Sequence, residues 1–446
     1  MAKRVVIIGG TAAGTSAAAK LRRVDPEADI IIYERGDIVS FGACGLPYFV
    51  GGQFDDAKRM IARTPEQFEA SGVQVRTGHE VVAVYKENKT LDIRVLTSGE
   101  IISDSYDVLM IATGASPVML DVPGNDLKGV FTLTKLADGI RLKLELAKPE
   151  VQQVTIVGAG FIGLELAEQI RHLGKDVRII EFRERILSHV FDEEITELLE
   201  QELRDNDVEL LLEEGVTGFS GDKNVTSVAT DKGEYATDLV IVAVGFKPNT
   251  SFVAELGLER LENGAIVVDN QGKTSVADVF AAGDCATINH RILDKPVYIP
   301  LATTANKLGR VVGEVIGGMD SEFYGTLGSS AIQLFGLEAM ASGLTTAAAV
   351  TEQLDHRSVV VNDKDHTDYV PGQSAIRVKL IYQADDKVLL GGQIVGQKNA
   401  VLRGDVLATA IHNRMRTDEL GLLDLSYAPP FARTWDVLNV AGNVAK

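Results

Sequence analysis

One cysteine in this 446-residue chain has a sequence context that suits redox chemistry. Cys44 lies in the segment SFGACGLPYF (residues 40–49), between glycines that open the turn. A cysteine reacts as its thiolate, and the positive end of the helix predicted to begin near Leu46 would favour that form. The only other cysteine, Cys285, follows a strand end and is expected to be a small buried residue. Two cysteines are too few for a disulfide framework or a cysteine-based zinc site. Any sulfur chemistry must therefore belong to an individual thiol.

A glycine-rich turn near the start of the chain has the pattern of a dinucleotide-binding site. It follows the apolar run RVVII as GGTAAG (residues 9–14), with Thr11 at the position of the middle glycine. The next apolar run ends at Glu34, about twenty residues beyond Gly14, which is the spacing at which a carboxylate meets a ribose. The pattern predicts a strand, a helix and a second strand around a pyrophosphate site at the helix N-terminus.

A second turn repeats this pattern without a departure from it. VTIV precedes GAGFIG (residues 158–163), a helix is predicted from Leu164 to Leu173, and the following strand ends at Glu181. One such motif arises by chance, but two in the same context predict two dinucleotide sites. The carboxylate of Glu181 favours the free 2′-hydroxyl of NADH, whereas nearby Arg183 and Arg185 leave NADPH possible.

Composition limits the remaining classes of function. A net charge of −19, from 44 basic and 63 acidic residues, argues against nucleic acid and anionic membrane as partners. No apolar run reaches the length of a membrane span, and the N-terminus lacks a signal-peptide pattern, so a cytoplasmic location is expected. The seven histidines show no metal-ligand spacing, so no metal site is predicted. The acidic run at residues 192–202 is interpreted as a solvated helix face.

The distribution of motifs predicts an α/β protein with two Rossmann-like dinucleotide-binding domains and a C-terminal α+β dimerisation domain. Both halves end in a predicted buried strand, at residues 106–114 and 238–245. Near residue 322 the sequence changes to runs in which apolar and polar residues alternate, as in strands. The predicted domains are residues 1–114 with 246–321, residues 115–245, and residues 322–446.

These motifs, together with the Gly283–Asp284 turn and the C-terminal domain, resemble the two-dinucleotide-domain flavoproteins over essentially the whole chain. The single cysteine in SFxxCGLPY is similar to that of the coenzyme A disulfide reductase, NADH oxidase, NADH peroxidase and persulfide reductase group. Phe49 stands where glutathione-reductase-like members have a second cysteine. The resemblance implies that Cys44 alternates between a thiolate and a mixed disulfide or a sulfenic acid.

The resemblance also implies the cofactors: FAD at the first site and NADH, or NADPH, at the second. Glu34 would bind the FAD ribose, Asp284 its ribityl or pyrophosphate segment, and Glu165 would lie near the nicotinamide amide. The expected cofactor-binding residues are Gly9, Gly10, Ala13, Gly14, Glu34, Arg35, Ser40, Thr113, Gly114, Gly158, Gly160, Phe161, Ile162, Gly163, Glu165, Glu181, Gly283, Asp284, Ala302, Thr303 and Thr304.

The acceptor is inferred from a few further positions. Ala12 replaces the histidine that assists peroxide chemistry in the oxidases and peroxidases, which weakens a peroxidase mechanism. Tyr369 and Tyr427 match tyrosines that reach the cysteine site of the other subunit in the disulfide reductases, where a phenol can act as a general acid. A homodimer with a shared active site is therefore implied, with Cys44, Tyr369 and Tyr427 as catalytic residues.

Coenzyme A is the leading substrate or bound ligand, and its 3′-phosphate requires basic groups. The residues expected to contact it are Lys20, Arg22, Arg23, Ser40 and Asn306. The family's asparagine before the cysteine is Ala43 here, and its lysine after the Tyr-Ala-Pro-Pro motif is Trp435. Three functions stay open: reduction of a small disulfide or persulfide, oxidation of NADH by O2, and nicotinamide sensing through a protein partner.

Overall fold

The computed structural model describes residues 2–446. The chain forms two compact units. The first comprises the N-terminal residues through Leu46, together with Phe54–Pro117 and Phe246–Thr326. The second comprises Pro47–Gln53, Val118–Gly245 and Leu327–Lys446.

In chain order the strands are β1 (Arg4–Ile8), β2 (Asp29–Tyr33), β3 (Val73–Arg76), β4 (His79–Tyr85), β5 (Thr90–Val95), β6 (Ile101–Ser105), β7 (Val108–Ile111), β8 (Ala115–Pro117), β9 (Val130–Phe131), β10 (Gln153–Val157), β11 (Asp176–Ile180), β12 (Val208–Leu211), β13 (Val216–Ser220), β14 (Ser227–Thr230), β15 (Glu234–Ala236), β16 (Leu239–Val242), β17 (Phe246–Pro248), β18 (Val279–Ala281), β19 (Ile288–His290), β20 (Lys295–Val297), β21 (Ser330–Leu334), β22 (Leu337–Gly343), β23 (His356–Lys364), β24 (Ala375–Gln383) and β25 (Leu389–Gly396).

The α-helices are α1 (Ala12–Val24), α2 (Leu46–Val50), α3 (Pro65–Glu69), α4 (Leu136–Leu146), α5 (Phe161–His172), α6 (Glu193–Asp205), α7 (Ala302–Ile316), α8 (Thr346–Thr351), α9 (Ala400–His412), α10 (Thr417–Gly421) and α11 (Val437–Val444). Helix α5 begins three residues before the predicted Leu164, because Gly160 already occupies the position before its first turn.

The first unit is built on a parallel sheet with the order β18-β7-β1-β2-β3. Its central strands are almost wholly Val and Ile, and they are buried along nearly their whole length. Such continuous apolar strands fit a parallel sheet that is covered on both faces. A three-stranded antiparallel sheet, β4-β5-β6, is inserted between β3 and β7.

The second unit contains the same arrangement once more, with a parallel sheet in the order β12-β11-β10-β16-β9 and an inserted antiparallel sheet β13-β14-β15. It also contains a five-stranded antiparallel sheet, β21-β22-β25-β24-β23, against which α9 packs. The predicted fold class, two Rossmann-like domains and a C-terminal α+β domain, is confirmed.

Ligand sites in parallel sheets lie beyond the carboxyl ends of the strands. In both units the glycine-rich turn follows the central strand, β1 or β10, at this end. None of the helices within residues 2–446 has the length and apolar character required to cross a bilayer.

Candidate functional site

The first glycine-rich turn is shaped by close backbone contacts. A Cβ at Gly9, where φ is +107°, would lie 2.1 Å from the Ala112 carbonyl oxygen. A Cβ at Gly14 would lie 2.0 Å from the Gly9 carbonyl oxygen. Larger residues at either position would push α1 away from β1 and β7. The glycines thus hold the N-terminus of α1 at the end of the sheet, where it can bind a pyrophosphate.

Glu34, at the end of β2, completes this turn. Its carboxylate accepts hydrogen bonds from the backbone N–H groups of Gly10 at 2.8 Å and Gly36 at 2.7 Å. The side chain is therefore fixed beside the turn, where a ribose would lie next to the pyrophosphate.

The second turn reproduces this geometry around Glu181. The carboxylate accepts from the N–H groups of Ala159 at 2.8 Å and Arg183 at 2.9 Å. A Cβ at Gly163 would lie 2.1 Å from the Gly158 carbonyl oxygen, whereas a Cβ at Gly160 would meet nothing within 4 Å. The open space at Gly160 is where the middle glycine of the motif allows a pyrophosphate to approach. The residues present therefore fit a dinucleotide in both units.

A second observation in the first unit supports a flavin nucleotide. Asp284 follows β18, and burial raises the pKa of its carboxyl without an offsetting hydrogen bond or cation. A buried carboxyl in this state needs a hydrogen-bond donor, such as a ribityl hydroxyl. The adjoining turn is rigid, because Thr113 Oγ1 donates to the Asn249 carbonyl at 2.7 Å and Asn249 Nδ2 donates to the Thr113 carbonyl at 3.1 Å.

The other expected cofactor residues lie in the same two regions. Gly114 and Gly283 adopt left-handed conformations, with φ of +62° and +83°. Ala302 and Thr303 are exposed in the first turn of α7, whereas Thr304 is buried and donates to the Leu301 carbonyl at 2.8 Å. The remaining members are Ala13 in α1, Arg35 after β2, Ser40 before the cysteine turn, and Phe161 and Ile162 in the first turn of α5.

Glu165 is the titratable group whose pKa is most relevant to the second turn. It lies in the second turn of α5, and the Tyr48 hydroxyl donates to its carboxylate at 3.2 Å. Burial raises its pKa to about 7, Tyr48 opposes this increase, and the charge of Glu168 adds to it. Glu165 therefore changes charge near neutral pH.

Cys44 lies in a 3₁₀ turn, Ala43–Gly45, that leads directly into α2, and its side chain is exposed. Cys285 is buried, and its thiol donates to the Ile111 carbonyl at 3.4 Å. Burial raises the pKa of Cys285, which disfavours the reactive thiolate. Of the two cysteines, only Cys44 has an exposed side chain, and only Cys44 lines the cavity described next.

Cys44 lines a cavity of about 870 Å³ in the first unit. The residues that line it are Ala12, Thr15, Ser16, Ala19, Arg23, Ser40, Phe41, Gly42, Cys44, Gly45, Phe54, Arg59, Met60, Ala62, Arg63, Phe68, Asn306, Lys307 and Arg310. Five of these side chains are cationic and none is acidic, in a chain whose net charge is −19. The cavity is therefore a basic site in an acidic protein, with a thiol in its wall.

Two of the cations are held by aromatic rings. The Arg59 guanidinium lies 5.5 Å from the centroid of the Phe54 ring, and the Arg63 guanidinium lies 5.6 Å from that of Phe68. Cation–π contacts of this kind fix the direction of a flexible side chain without neutralising its charge. Both guanidinium groups keep donors for an anion.

Helices α1 and α7 form one side of the cavity, and glycines bring them together. A Cβ at Gly309 would lie 2.4 Å from the Ala13 carbonyl oxygen, and a Cβ at Gly313 would lie 2.4 Å from that of Ala17. Because the two backbones approach so closely, Ser16 Oγ on α1 donates to Asn306 Oδ1 on α7 at 2.7 Å. The cationic groups of the two helices thereby share one wall.

The expected substrate residues divide into two groups. Arg23, Ser40 and Asn306 line the cavity, but Lys20 and Arg22 do not. Lys20 instead pairs with Glu314 at 2.8 Å. The guanidinium of Arg22 donates to the carbonyls of Pro26, Ala28 and Gly72 at 2.5–2.7 Å. In this structure both side chains therefore bind other parts of the protein, and their assignment to substrate stays a prediction.

Sequence reasoning missed Arg59, Arg63, Lys307 and Arg310, which supply most of the charge of the cavity. A signal was present, since Lys307 and Arg310 are three residues apart and therefore share a helix face.

The two expected catalytic tyrosines meet in the second unit. The hydroxyl oxygens of Tyr369 and Tyr427 are 3.4 Å apart, although the residues are far apart in sequence. Both side chains are exposed, at 69% and 45%. Their mutual hydrogen bond raises the pKa of Tyr369, so this phenol retains its proton at neutral pH.

Comparison with known proteins gives the family. Residues 3–309 match the pyridine nucleotide-disulphide oxidoreductase model, and residues 330–437 match the dimerisation domain of the same family. The NAD(P)H sulfur oxidoreductase (CoA-dependent) of Pyrococcus furiosus is 40% identical over 100% of this chain and 99% of that protein. An NADH oxidase of Enterococcus faecalis is 34% identical over 99% of both chains. The coenzyme A disulfide reductase of Staphylococcus aureus is 31% identical over 99% of this chain and 100% of that protein.

Solved structures agree. An NAD-dependent persulfide reductase from A. fulgidus superposes with a TM-score of 0.95 and 34% identity, covering 99% of this chain and 83% of that one. The water-forming NADH oxidase of Lactobacillus brevis, bound to NADH, gives a TM-score of 0.96 and 32% identity, covering 100% and 98%. The resemblance inferred from the two glycine-rich turns and the single cysteine is confirmed: the chain belongs to the pyridine nucleotide-disulphide oxidoreductases, a family of enzymes that use FAD and NAD(P)H.

Proposed function

We propose that this enzyme reduces disulfides or persulfides of coenzyme A, with Cys44 as the redox-active sulfur. The observation that carries the proposal is the cavity that combines Cys44 with five cationic side chains and no acidic one. A disulfide without phosphate groups would have no anionic group to pair with these cationic side chains. A coenzyme A disulfide has a thiol end for Cys44 and phosphate groups for the cations.

The shape and composition of the cavity support this ligand further. Phe41, Phe54 and Phe68 add apolar surface beside the arginines, which suits an adenine ring and a pantetheine arm. The NAD(P)H sulfur oxidoreductase of Pyrococcus furiosus is named as CoA-dependent. The same ligand class is therefore proposed here.

The reaction begins at the sulfur. The Cys44 thiolate attacks one sulfur of the substrate disulfide, which forms a Cys44–coenzyme A disulfide and releases the second coenzyme A as a thiolate. Two electrons then cleave this mixed disulfide, restoring the Cys44 thiolate and releasing the remaining thiol after protonation. When bound, FAD and NAD(P)H supply those two electrons as a hydride equivalent. With a coenzyme A persulfide, attack on the inner sulfur forms the same mixed disulfide and releases hydrosulfide. Attack on the outer sulfur instead releases coenzyme A and leaves a persulfide on Cys44, which two electrons reduce to the thiolate and hydrosulfide.

The cofactor sites follow the two units. We assign FAD to residues 1–114 with 246–321, NAD(P)H to residues 115–245, and dimerisation to residues 322–446. Glu34 and Asp284 would hold FAD, and Glu181 would hold the nicotinamide nucleotide, since these carboxylates stand at the strand ends where a ribose or ribityl hydroxyl donates. The remaining proposed contacts are the residues named above for each turn.

The match to the dimerisation domain indicates a homodimer. We propose that Tyr369 and Tyr427 of one subunit serve the cysteine of the other and protonate the departing thiolate. Their hydroxyls already share a hydrogen bond and both side chains are exposed, so either phenol can pass a proton to a leaving group.

NADH is proposed as the preferred reductant. Arg183 and Arg185 are the first two cationic residues after Glu181. Arg185 forms ion pairs with three carboxylates of α6, those of Glu193, Glu197 and Glu200. The acidic run is thus not simply a solvated face, because Glu200 is buried against Arg185. An arginine with three carboxylate neighbours offers little to a 2′-phosphate.

The test compares acceptors in the purified dimer. Rates of NADH oxidation are measured with coenzyme A disulfide, coenzyme A persulfide, hydrogen peroxide and O2, for the native enzyme, Cys44→Ser, and the double variant Arg59→Met/Arg63→Met. Lys223→Met, an exposed cation of the second unit, is the matched control. The proposal predicts that coenzyme A substrates dominate, that Cys44→Ser abolishes them, and that the double variant raises KM about tenfold or more.

Two results would replace the proposal. Rapid O2 reduction with no stimulation by disulfides would assign an NADH oxidase, the activity named for the Enterococcus faecalis relative. A long-lived reduced enzyme without turnover on any acceptor, indifferent to Cys44→Ser, would assign a nicotinamide sensor.

A further inference from the structure

Tyr369 and Tyr427 lie on two segments of the second unit that are joined by hydrogen bonds. Thr367 Oγ1 donates to the Pro429 carbonyl at 3.0 Å. Arg403, on α9, donates to the carbonyls of Asp365 and Phe431, each at 2.6 Å. These contacts join the segment that bears Tyr369 to the segment that bears Tyr427, but none of them reaches residues 368–370 themselves.

His366 contacts the turn at residues 368–370, which those hydrogen bonds do not reach. Its imidazole is buried, with Nδ1 2.8 Å from Asp365 Oδ1 and Nε2 3.2 Å from the Val370 carbonyl oxygen. The ring therefore spans the short turn on which Tyr369 stands. The Val370 N–H closes the same turn by donating to the Thr367 carbonyl at 3.2 Å.

The two contacts attach the ring to both ends of the turn. Burial raises the pKa of Asp365, but hydrogen bonds from Ser374 and the contact with His366 lower it by more, so the carboxyl is ionised. A carboxylate oxygen and a carbonyl oxygen both accept hydrogen bonds, so a ring N–H that faces either of them ties the turn to its neighbour.

We propose that His366, which lies between Asp365 and the Val370 carbonyl, is a positioning residue that holds Tyr369 against Tyr427. This inference rests on the proposed role of the two tyrosines as proton donors. Removal of the imidazole takes away the side-chain contact across the turn, which leaves Tyr369 able to move away from Tyr427.

The charged group in contact with the imidazole is Asp365, at 2.8 Å. Arg403 on α9 donates to the Asp365 carbonyl and pairs with Asp436 at 3.0 Å.

The test uses His366→Gln, which keeps a polar side chain but cannot span both contacts, and Asp365→Asn, which removes the carboxylate. His356→Gln, at the start of β23, is the matched control on the same sheet. Hydrogen exchange of the peptide that contains the Val370 amide is measured by mass spectrometry in the dimer at a single neutral pH. Steady-state kinetics with coenzyme A disulfide and with ferricyanide are measured on the same samples.

The native enzyme should protect this amide about tenfold more strongly than His366→Gln does. Asp365→Asn should lower the protection by a smaller factor, while His356→Gln keeps the native level. With coenzyme A disulfide, His366→Gln should lower kcat about tenfold with little change in KM, and ferricyanide reduction should stay at the native rate.

Equal protection of this amide in the native enzyme and His366→Gln would overturn the inference. So would a native kcat for His366→Gln. Failure of the native enzyme to reduce coenzyme A disulfide would instead overturn the proposed function, and the exchange measurement would still decide whether His366 holds the turn.

Discussion

The ionisation of Glu165 predicts a measurable loss of stability as the pH rises through neutrality. Burial raises the pKa of this carboxyl from 4.5 to about 7. Below about pH 4.5 the folded and unfolded chains both keep the proton, and above about pH 7 both have lost it. Between these values only the folded chain is protonated, so stability falls as the pH rises. A shift of roughly 2.5 pKa units corresponds to about 3 kcal/mol.

The variant Glu165→Gln replaces the carboxyl by a neutral group of the same shape. It should match the native enzyme near pH 5 and exceed its stability by about 3 kcal/mol near pH 8. For a unit of this size that corresponds to a difference in Tm of roughly 6 °C or more. Calorimetry of the holoenzyme at several pH values measures the difference directly.

Two further variants separate the cause from a general effect of charge. Tyr48→Phe removes the hydrogen bond that opposes the shift, so it should extend the loss of stability to higher pH. Glu150→Gln, on an exposed turn, should leave the native pH dependence unchanged. Parallel stability curves for the native enzyme and Glu165→Gln would refute the assignment of this titration to Glu165.

Two other predictions concern the cavity wall and the nucleotide preference. Gly313→Val should force α1 and α7 apart, because even a Cβ would lie 2.4 Å from the Ala17 carbonyl oxygen. We expect a loss of about 1–3 kcal/mol in thermal unfolding and weaker coenzyme A binding in calorimetric titration. Glu193→Gln with Glu197→Gln should release Arg185 and strengthen binding of 2′,5′-ADP relative to 5′-AMP about tenfold, and an unchanged ratio would contradict the proposed origin of NADH preference.

The nucleotide-binding turns could be predicted because their signals are local. A buried strand, a glycine turn, a helix and an acidic strand end all fall within some 30 residues. In the structure Glu34 and Glu181 make the same pair of hydrogen bonds to their own turns. The start of α5 was predicted too late, since Phe161 and Ile162 were interpreted as part of the turn.

The cavity could be predicted only in part, because its cations come from segments that are distant in sequence. Arg59 and Arg63 join Lys307 and Arg310 only after α1 has packed against α7. Lys20 and Arg22 illustrate a second difficulty. The face of α1 that lines the cavity contains residues 12, 15, 16, 19 and 23, and helical periodicity places residues 20 and 22 at the two edges of that face. Only the structure shows that Lys20 pairs with Glu314 and that Arg22 donates to backbone carbonyls.

The catalytic roles of Tyr369 and Tyr427 were inferred from family resemblance alone, and their contact with each other was not predicted. No local pattern predicts that contact, since it depends on hydrogen bonds from Thr367 and Arg403 that join two loops. The role of His366 was likewise hidden, because a histidine becomes informative only when the acceptors on both sides of its ring are known.

The most direct test of the central claim is to trap the mixed disulfide that Cys44 forms with its substrate. The two-electron-reduced holoenzyme is mixed with coenzyme A disulfide or with pantethine, which has the same disulfide and arms but no adenosine phosphates, and is then quenched with acid and mapped by mass spectrometry. We predict a coenzyme A adduct on Cys44 and none on Cys285, formed at least about tenfold faster than the pantethine adduct. Equal rates for the two disulfides, or a Cys44 that stays unmodified while NADH is consumed, would contradict the account.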